Sequence, residues 1–120
     1  MNICITSYGN NLDSEVDPRF GRCAYFIIAD TDSFNFEAVE NVYAQSSGGA
    51  GIQSGQFMND KNIKAVLTGN VGPNAHKTLE GSKIDIYTGV SGNVKTAIIK
   101  FKNNEYKKTS KPSVESHHGI

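Results

Sequence analysis

The sequence predicts an α/β domain with a mixed sheet, and three observations lead to this fold class. Short runs rich in β-branched and aromatic residues recur along the chain, and such runs are typical of strands. In the second half of the chain they alternate with stretches of helical periodicity, which indicates β-α-β units. Glycine-containing turns follow three of the predicted strands, where each strand gives way to a helix.

The first half of the chain predicts three strands. Residues 2–8 begin apolar and end polar, as a buried strand leading into a loop does. Residues 24–29 and 34–43 are separated by a polar turn cluster and predict an antiparallel hairpin. Residues 9–22 contain Asn, Asp, Pro and Gly, so we expect a long irregular loop, and loops of this kind are often functional.

The first helix is predicted at residues 50–61. Ile52, Gly55 and Met58 lie on one side of it. Gly55 lowers helix propensity by about 1 kcal/mol relative to alanine, a cost that is tolerable if the helix packs closely on the sheet at that point.

Two more strands and two more helices follow. Residues 65–67 predict a short strand, and Pro73 suits the first turn of a helix that runs to about residue 80. Residues 83–88 predict the last strand. Residues 94–101 form the clearest helical pattern, with apolar residues at i, i+3, i+4 and i+7.

Composition limits the function classes. The 120 residues suffice for one domain, and Lys plus Arg and Asp plus Glu both number 12, so the formal net charge is zero. This balance disfavours a general nucleic-acid binder and an electrostatic membrane anchor. The sequence has no apolar run near the roughly 20 residues of a membrane helix and no signal-type N-terminus. We expect a cytoplasmic monomer or weak oligomer with a polar, flexible tail at 106–120.

Two glycine turns predict an anion-binding position. One contains Gly48-Gly49-Ala50-Gly51 and the other Thr68-Gly69-Asn70-Val71-Gly72-Pro73. Helix starts offer unpaired N–H groups and a partial positive charge, and ligands of open α/β sheets bind at the carboxyl ends of the strands. Neither turn matches the dinucleotide fingerprint or the phosphate-binding loop of triphosphatases. Tight closure against the sheet is the alternative for the first turn.

A third element, Phe20-Gly21-Arg22-Cys23, adds a guanidinium and a thiol. Arg19 and Arg22 are the two arginines of the chain, and arginine suits planar, polyvalent anions. A nearby arginine lowers the pKa of a thiol, which favours Cys23 as a metal-binding thiolate. In the alternative interpretation Cys23 fills the core, and Arg22 pairs with an acid of its own loop: Asp13, Glu15 or Asp17.

The remaining cysteine and histidines carry weaker signals. Cys4 lies between two isoleucines and is expected to be a buried core residue. His76 is expected on the surface or at a cap of the second helix, with a site contact as the alternative. His117 and His118 are adjacent in the tail and form a poor chelate.

The sequence contains no recognisable catalytic constellation. Gly-x-Ser-x-Gly does not occur, and the strands at 2–8 and 65–68 contain no acid. We therefore predict no catalytic residues and a protein that is not an enzyme. A cofactor-free interaction module and a nucleotide- or phosphate-binding enzyme are the rival hypotheses.

Several motifs in order resemble the dinitrogenase iron–molybdenum cofactor biosynthesis family over about residues 1–105. They are Asp13-Ser14-Glu15-Val16, Phe20-Gly21-Arg22, Tyr25-Phe26, and the segments 49–53, 68–75 and 86–89. The resemblance implies a ribonuclease-H-like, three-layer α/β/α fold whose five-stranded mixed sheet has strand 2 antiparallel to the others. It also implies a non-enzymatic carrier or scaffold for an anionic iron–sulfur or molybdenum–iron–sulfur cluster. A recipient metalloenzyme or cluster-assembly protein would then be its partner.

The predicted cluster-binding residues combine the three elements with the last glycine turn. They are Arg19, Gly21, Arg22, Cys23, Gly49, Gly51, Gly69, Asn70, Gly72, Asn74, Thr88 and Gly89. In this hypothesis the arginines balance charge, Cys23 contacts metal or sulfide, and His76 is a weaker second metal ligand. The glycine turns line a cleft with N–H donors.

Overall fold

Five strands and three helices make up the described part of the chain. The computed structural model describes residues 1–46 and 48–112. The strands are β1 (Asn2–Ser7), β2 (Tyr25–Asp30), β3 (Phe36–Glu40), β4 (Ala65–Leu67) and β5 (Asp85–Tyr87). The helices are α1 (Ala50–Asp60), α2 (Pro73–Gly81) and α3 (Val94–Lys102).

The strands form one mixed sheet in the order β3-β2-β1-β4-β5. β2 is antiparallel to both of its neighbours, β1 and β3, whereas β1, β4 and β5 are mutually parallel. The predicted hairpin of β2 and β3 is therefore confirmed, as is the antiparallel second strand.

The helices cover both faces of the sheet, which gives three layers. Successive strand residues point to opposite faces, so Cys4 of β1 packs with Met58 of α1 and Leu79 of α2. Ile3 and Ile5 of the same strand pack on the other face in a cluster that also contains α3 residues such as Ile98. The predicted α/β/α architecture is confirmed, and the ribonuclease-H-like label stays a prediction.

Helix α1 departs from the predicted apolar stripe. Ile52 is 38% exposed, while Gly55 and Met58 are buried. The close contact at Gly55 is with α2 and not with the sheet, because a Cβ at Gly55 would lie 2.7 Å from Cγ2 of Thr78. Packing between the two helices thus decides which side of α1 is covered.

The segment 106–110, predicted as the start of a free polar tail, lies along β5. The Thr109 N–H donates to the Ile86 carbonyl at 2.7 Å, and Tyr106 packs against the core on the α3 side. The segment covers the edge strand, and covered edges are less prone to pairing with other chains. Ser47, His117 and His118 lie outside the described residues. No described helix has the length and apolar character needed to cross a membrane.

Candidate functional site

The loops that carry the predicted site residues lie together where β1, β3, β4 and β5 finish. Ser7 ends β1 and pairs with Tyr25 of β2, which also pairs with Glu40 at the end of β3. β4 and β5 run parallel to β1 and finish at the same end. We call this region the carboxyl end of the sheet. The glycine turns and the long loop therefore emerge together at this end.

The long loop before β2 is fixed to the loop after β4. Arg19 and Asn70 form a parallel bridge, in which the Asn70 N–H donates to the Pro18 carbonyl at 2.7 Å and the Phe20 N–H donates to the Asn70 carbonyl at 3.3 Å. A Cβ on Gly69 would lie 2.6 Å from Cα of Pro18. Glycine is therefore required at position 69 for the two loops to meet.

Arg19 is paired with the buried carboxylate of Asp17. Its Nε donates to Oδ1 at 3.0 Å and a terminal nitrogen donates to Oδ2 at 2.9 Å, a two-pronged arrangement. These bonds raise the pKa of Arg19. The Asp17 side chain is 0% exposed and that of Arg19 is 57% exposed, so the guanidinium faces solvent while Asp17 balances its charge.

Arg22 holds the segment that follows β3. Its Nη1 donates to the Ala44 carbonyl at 2.6 Å and to the Ser46 carbonyl at 3.0 Å. The alternative in which Arg22 pairs with an acid of its own loop is wrong, because these bonds go to backbone carbonyls, and Asp17 binds Arg19 instead. Arg22 is exposed and forms no ion pair with a described residue, so its charge is available at the carboxyl end.

Asn41 is a structural residue that the sequence analysis did not single out. It is buried, and its Nδ2 donates to the carbonyls of Gly21 at 3.1 Å and of Cys23 at 3.0 Å. Its Oδ1 accepts the Tyr43 N–H at 3.0 Å. The only sequence signal for this role is an asparagine near the end of a predicted strand, because asparagine is typical of the turns that follow strands. Asn41 and Arg22 together fix segment 41–46 against the loop before β2.

The first turns of α1 and α2 lie side by side. A Cβ on Gly51 would be 3.0 Å from the Cβ of Ala75, and a Cβ on Gly21 would be 3.2 Å from Cα of Gly51. Gly21 also has φ 94, a conformation that favours glycine. These contacts bring two helix N-termini and the arginine-bearing loop into one place.

Neither of these helix starts is capped by the side chain of a described residue. The N-cap residues are Gly49 and Gly72, and neither helix has an acidic residue in its first turn. By contrast, α3 on the opposite face is capped by the Asn93 side chain, which accepts the Thr96 N–H at 3.2 Å. Helix geometry leaves the first N–H groups without partners inside the helix. The uncapped starts of α1 and α2 therefore concentrate partial positive charge.

Some predicted N–H donors are used within the fold. The Asn70 N–H donates to Pro18, the Gly89 N–H donates to the Gly69 carbonyl at 2.9 Å, and the Thr88 N–H donates to Thr109 Oγ1 at 3.1 Å. The prediction that Asn70, Thr88 and Gly89 offer N–H groups to a ligand is wrong on this account. The first N–H groups of α1 and α2 have no partner inside their helices.

Cys23 lies inside the core. Its side chain is 0% exposed, and burial, followed by the charge of Asp17, raises the pKa of the thiol to about 12. The predicted lowering of this pKa is wrong, because burial removes the hydration that would stabilise a thiolate and the charge of Asp17 adds to this effect. Cys4 is buried as expected, and burial raises its pKa too. A direct contact of Cys23 with metal stays a prediction.

His76 is buried and does not join the other predicted residues. It is 6% exposed, contrary to the surface position expected from the sequence. It lines a cavity beside β5, whereas Cys23 precedes β2, and β1 and β4 lie between these strands. His76 and Cys23 therefore lie beside strands that are not neighbours in the sheet. Among the described residues, no three His, Cys, Asp or Glu side chains converge as a metal site.

Comparison with known proteins identifies the family. The family model described as dinitrogenase iron-molybdenum cofactor matches residues 1–104. The chain belongs to the dinitrogenase iron–molybdenum cofactor family. The match covers all five strands, all three helices and every predicted cluster-binding residue.

Two solved structures resemble this family member over almost its whole length. The apo form of the orange protein from Desulfovibrio gigas is 33% identical with a TM-score of 0.90, and the match covers 93% of this chain and 95% of that one. A Thermotoga protein assigned as NifB is 35% identical with a TM-score of 0.79, over 93% and 97% of the two chains. An uncharacterized protein of Methanocaldococcus jannaschii is 28% identical over 78 residues, and the matched region spans 62% of this chain and 66% of that protein.

Proposed function

We propose that this protein carries or scaffolds an anionic metal–sulfur cluster at the carboxyl end of its sheet. The cluster is cargo of iron–sulfur or molybdenum–iron–sulfur type, and a recipient metalloenzyme or cluster-assembly protein is the partner. The role is non-enzymatic and cytoplasmic. The observation that carries the proposal is the pair of adjacent, uncapped helix N-termini, supported by membership of the family.

The charge at this position suits an anion. The first-turn N–H groups of Ala50, Gly51 and Ile52 in α1 and of Asn74 and Ala75 in α2 have no partner within their helices. The first intrahelical bonds begin one residue later, at Gln53 and His76. Each helix start is equivalent to about half a positive charge, and Arg22 adds a full one. Inorganic sulfide accepts hydrogen bonds from N–H groups, so a sulfide-rich cluster fits this donor set.

The glycines leave room for cargo beside these donors. Gly48 and Gly49 have φ 80 and 76, and apart from their chain neighbours no described residue has an atom within 4 Å of a Cβ built on either. Because Gly48 and Gly49 have no side chains, a large anion can approach their backbone at the start of α1 directly.

We propose a different role for Cys23 from the metal contact that the sequence predicts. A thiol must ionise to bind metal, and burial opposes both its ionisation and its exposure. We therefore propose that the cargo keeps its own sulfide ligands and is held mainly by N–H groups and arginine charge. Exchange of Cys23 for alanine then leaves cargo retention almost unchanged.

A charge substitution at the start of α2 tests the site. Asn74 is exposed in the first turn, so Asn74→Asp changes little but charge. The new carboxylate stabilises the helix by about 0.5 kcal/mol but repels an anionic cargo. We expect a slightly higher melting temperature together with weaker cargo retention, a combination that damage to the fold does not produce.

The assay is anaerobic reconstitution with iron and sulfide and, separately, with tetrathiomolybdate, followed by desalting, metal analysis and absorption spectroscopy. Asn59→Asp is the matched control, because Asn59 is an exposed residue near the other end of α1. Stoichiometric metal that is lost in Asn74→Asp and kept in Asn59→Asp supports the proposal. Equal retention in both variants refutes this site.

A cofactor-free interaction module is the second candidate. Three apolar side chains are exposed at the same end of the sheet: Tyr8 at 53%, Val42 at 74% and Ile52 at 38%. Such side chains suit contact with another protein. In this case wild-type protein retains no metal under either reconstitution condition.

A further inference from the structure

The two edge strands of the sheet differ in what covers them. Segment 106–110 lies along β5, whereas β3, at the other end of the strand order, has no described strand or segment bonded along its outer side. An uncovered edge strand presents backbone N–H and C=O groups to which another strand can add. Within the described part of the chain, β3 is therefore the strand at which the sheet can be extended.

The hydrogen bonds at the two ends of β3 determine which of its backbone groups face outward. The Asp30 N–H donates to the Asn35 carbonyl at 2.9 Å, and the Asn41 N–H donates to the Ala24 carbonyl at 3.0 Å. Both bonds continue the register of β2 with β3, and hydrogen-bonded pairs alternate with non-bonded pairs between antiparallel strands. The odd-numbered residues of β3 therefore bond to β2. The backbone groups of its even-numbered residues point outward and have no described partner: Phe36, Ala38 and Glu40.

The outward-facing groups of β3 are self-complementary about Ala38. If a second copy of the chain aligns antiparallel with Ala38 opposite Ala38, Phe36 comes opposite Glu40, and every outward-facing residue of the strand is used. Each opposed pair then exchanges two backbone hydrogen bonds. A two-fold axis at Glu37 would instead place two carboxylates directly opposite each other, which is destabilising. An axis at Val39 would leave Phe36 beyond the end of the opposing strand, so Ala38 is the favoured centre.

The side chains suit this register on both faces of the sheet. Phe36 is 42% exposed, and its ring packs against the hydrocarbon stem of Glu40 from the second copy. On the other face Glu37 comes opposite Val39, so no like charges are directly opposed. The two Glu37 side chains are diagonal neighbours, and each is paired with Lys61 at 2.9 Å, which reduces the repulsion between them. The strand therefore fits a second copy of itself in charge as well as in hydrogen bonding.

We propose that β3 strands of two copies pair about a two-fold axis at Ala38 and join their sheets into one continuous sheet. A contact made by five residues of each strand is small beside a standard protein interface, so the dimer is weak and forms at high protein concentration. Because the strands are antiparallel across the axis, the two carboxyl ends of the sheets face in opposite directions. The pairing does not depend on the cluster carrier proposed above.

Amide hydrogen exchange of the cargo-free protein, followed by NMR between about 20 µM and about 1 mM, tests the position of the contact. We expect exchange at Phe36, Ala38 and Glu40 to slow at least threefold as sedimentation equilibrium shows the dimer forming. The N–H groups of Glu37 and Val39 bond to β2 and should change little. Fast exchange of the outward groups at every concentration overturns the proposal. Protection that is independent of concentration also overturns it, because a segment of the same chain then covers the edge.

A charge swap tests the register. Phe36→Glu places a carboxylate opposite Glu40 of the second copy and is expected to weaken the dimer about tenfold. The double variant Phe36→Glu with Glu40→Lys places opposite charges at these positions and is expected to restore most of the association. Positions 36 and 40 of one strand are about 13 Å apart at about 3.3 Å per residue, so this recovery requires the second copy.

Ile99→Glu is the matched control, because Ile99 on α3 is also an apolar side chain that is 42% exposed. It adds the same charge away from β3 and should leave the dimer unchanged. Phe36 belongs to neither core cluster, and thermal melts of all variants confirm that they fold. Equal weakening by Phe36→Glu and Ile99→Glu refutes the contact at β3, and a double variant that associates no better than Phe36→Glu refutes the axis at Ala38.

Discussion

Replacement of Gly69 by alanine tests the contact that joins the two central loops of the site. The new Cβ would lie 2.5 Å from Cβ, 2.6 Å from Cα and 2.9 Å from the carbonyl oxygen of Pro18. Two of these atoms belong to the backbone, and the Pro18 carbonyl also accepts the Asn70 N–H, so the loop has to move to relieve the contact. Overpacking typically costs about 1–3 kcal/mol, and we expect the upper part of this range. At about 4 °C per kcal/mol, the melting temperature falls by about 12 °C.

Thermal unfolding followed by circular dichroism measures this change, and Gly81→Ala is the matched control. Gly81 lies at the end of α2, with no atom within 4 Å of a built Cβ and no positive φ. The same substitution there gains up to about 1 kcal/mol of helix propensity, so the melting temperature stays level or rises. A Gly69→Ala protein that melts with the wild type refutes the steric reasoning, since the two glycines would then respond alike.

Three further substitutions probe the ion pair, the buried thiol and the capped helix. Arg19→Ala removes two charge-assisted bonds from buried Asp17 and is expected to lower the free energy of unfolding by about 2 kcal/mol. Urea denaturation measures this free energy, and a loss near zero contradicts the pairing of Arg19 with Asp17. The pKa of Cys23 is raised from 9.0 to about 12, so the unfolded thiol ionises first, and stability falls as the pH rises from about 9 towards 12. Cys23→Ala should flatten that fall in urea titrations at each pH, and an unchanged slope counts against burial as the cause. Asn93→Ala removes the cap on the Thr96 N–H and should cost about 1 kcal/mol in a thermal melt, whereas Asn93→Asp should keep most of the stability.

Much of the fold follows from local patterns. The strands of the hairpin, the strand at β4 and the helix at α3 were predicted within a few residues, because their periodicity matches the surface that each element buries. In helix α1 the sequence places Ile52 on the same apolar side as Gly55 and Met58, but Ile52 is exposed in the structure. A residue near a helix start is buried only if a neighbouring element extends far enough to cover it. The docking of 106–110 on β5 has no local signal, because a polar segment becomes ordered only by bonds to a distant strand.

The site was predicted less completely than the fold. Sequence reasoning placed the glycine turns and both arginines at one end of the sheet. It did not find that Asp17 neutralises Arg19, that Arg22 binds backbone carbonyls, or that Asn41 anchors the same loop. Each of these bonds joins residues whose approach depends on the loop path, and neither periodicity nor composition encodes that path.

The sequence by itself determined the order of the strands and helices, the glycine turns before two of the helices and the family. These properties depend on near neighbours: on the spacing of apolar residues, on glycine before a helix and on motifs of a few residues. Only the tertiary structure decided that Cys23 is a buried thiol with a raised pKa and that His76 faces a separate cavity. Ionisation and burial depend on groups that folding brings from distant parts of the chain, so the same residue in the same motif has a different chemistry in each setting.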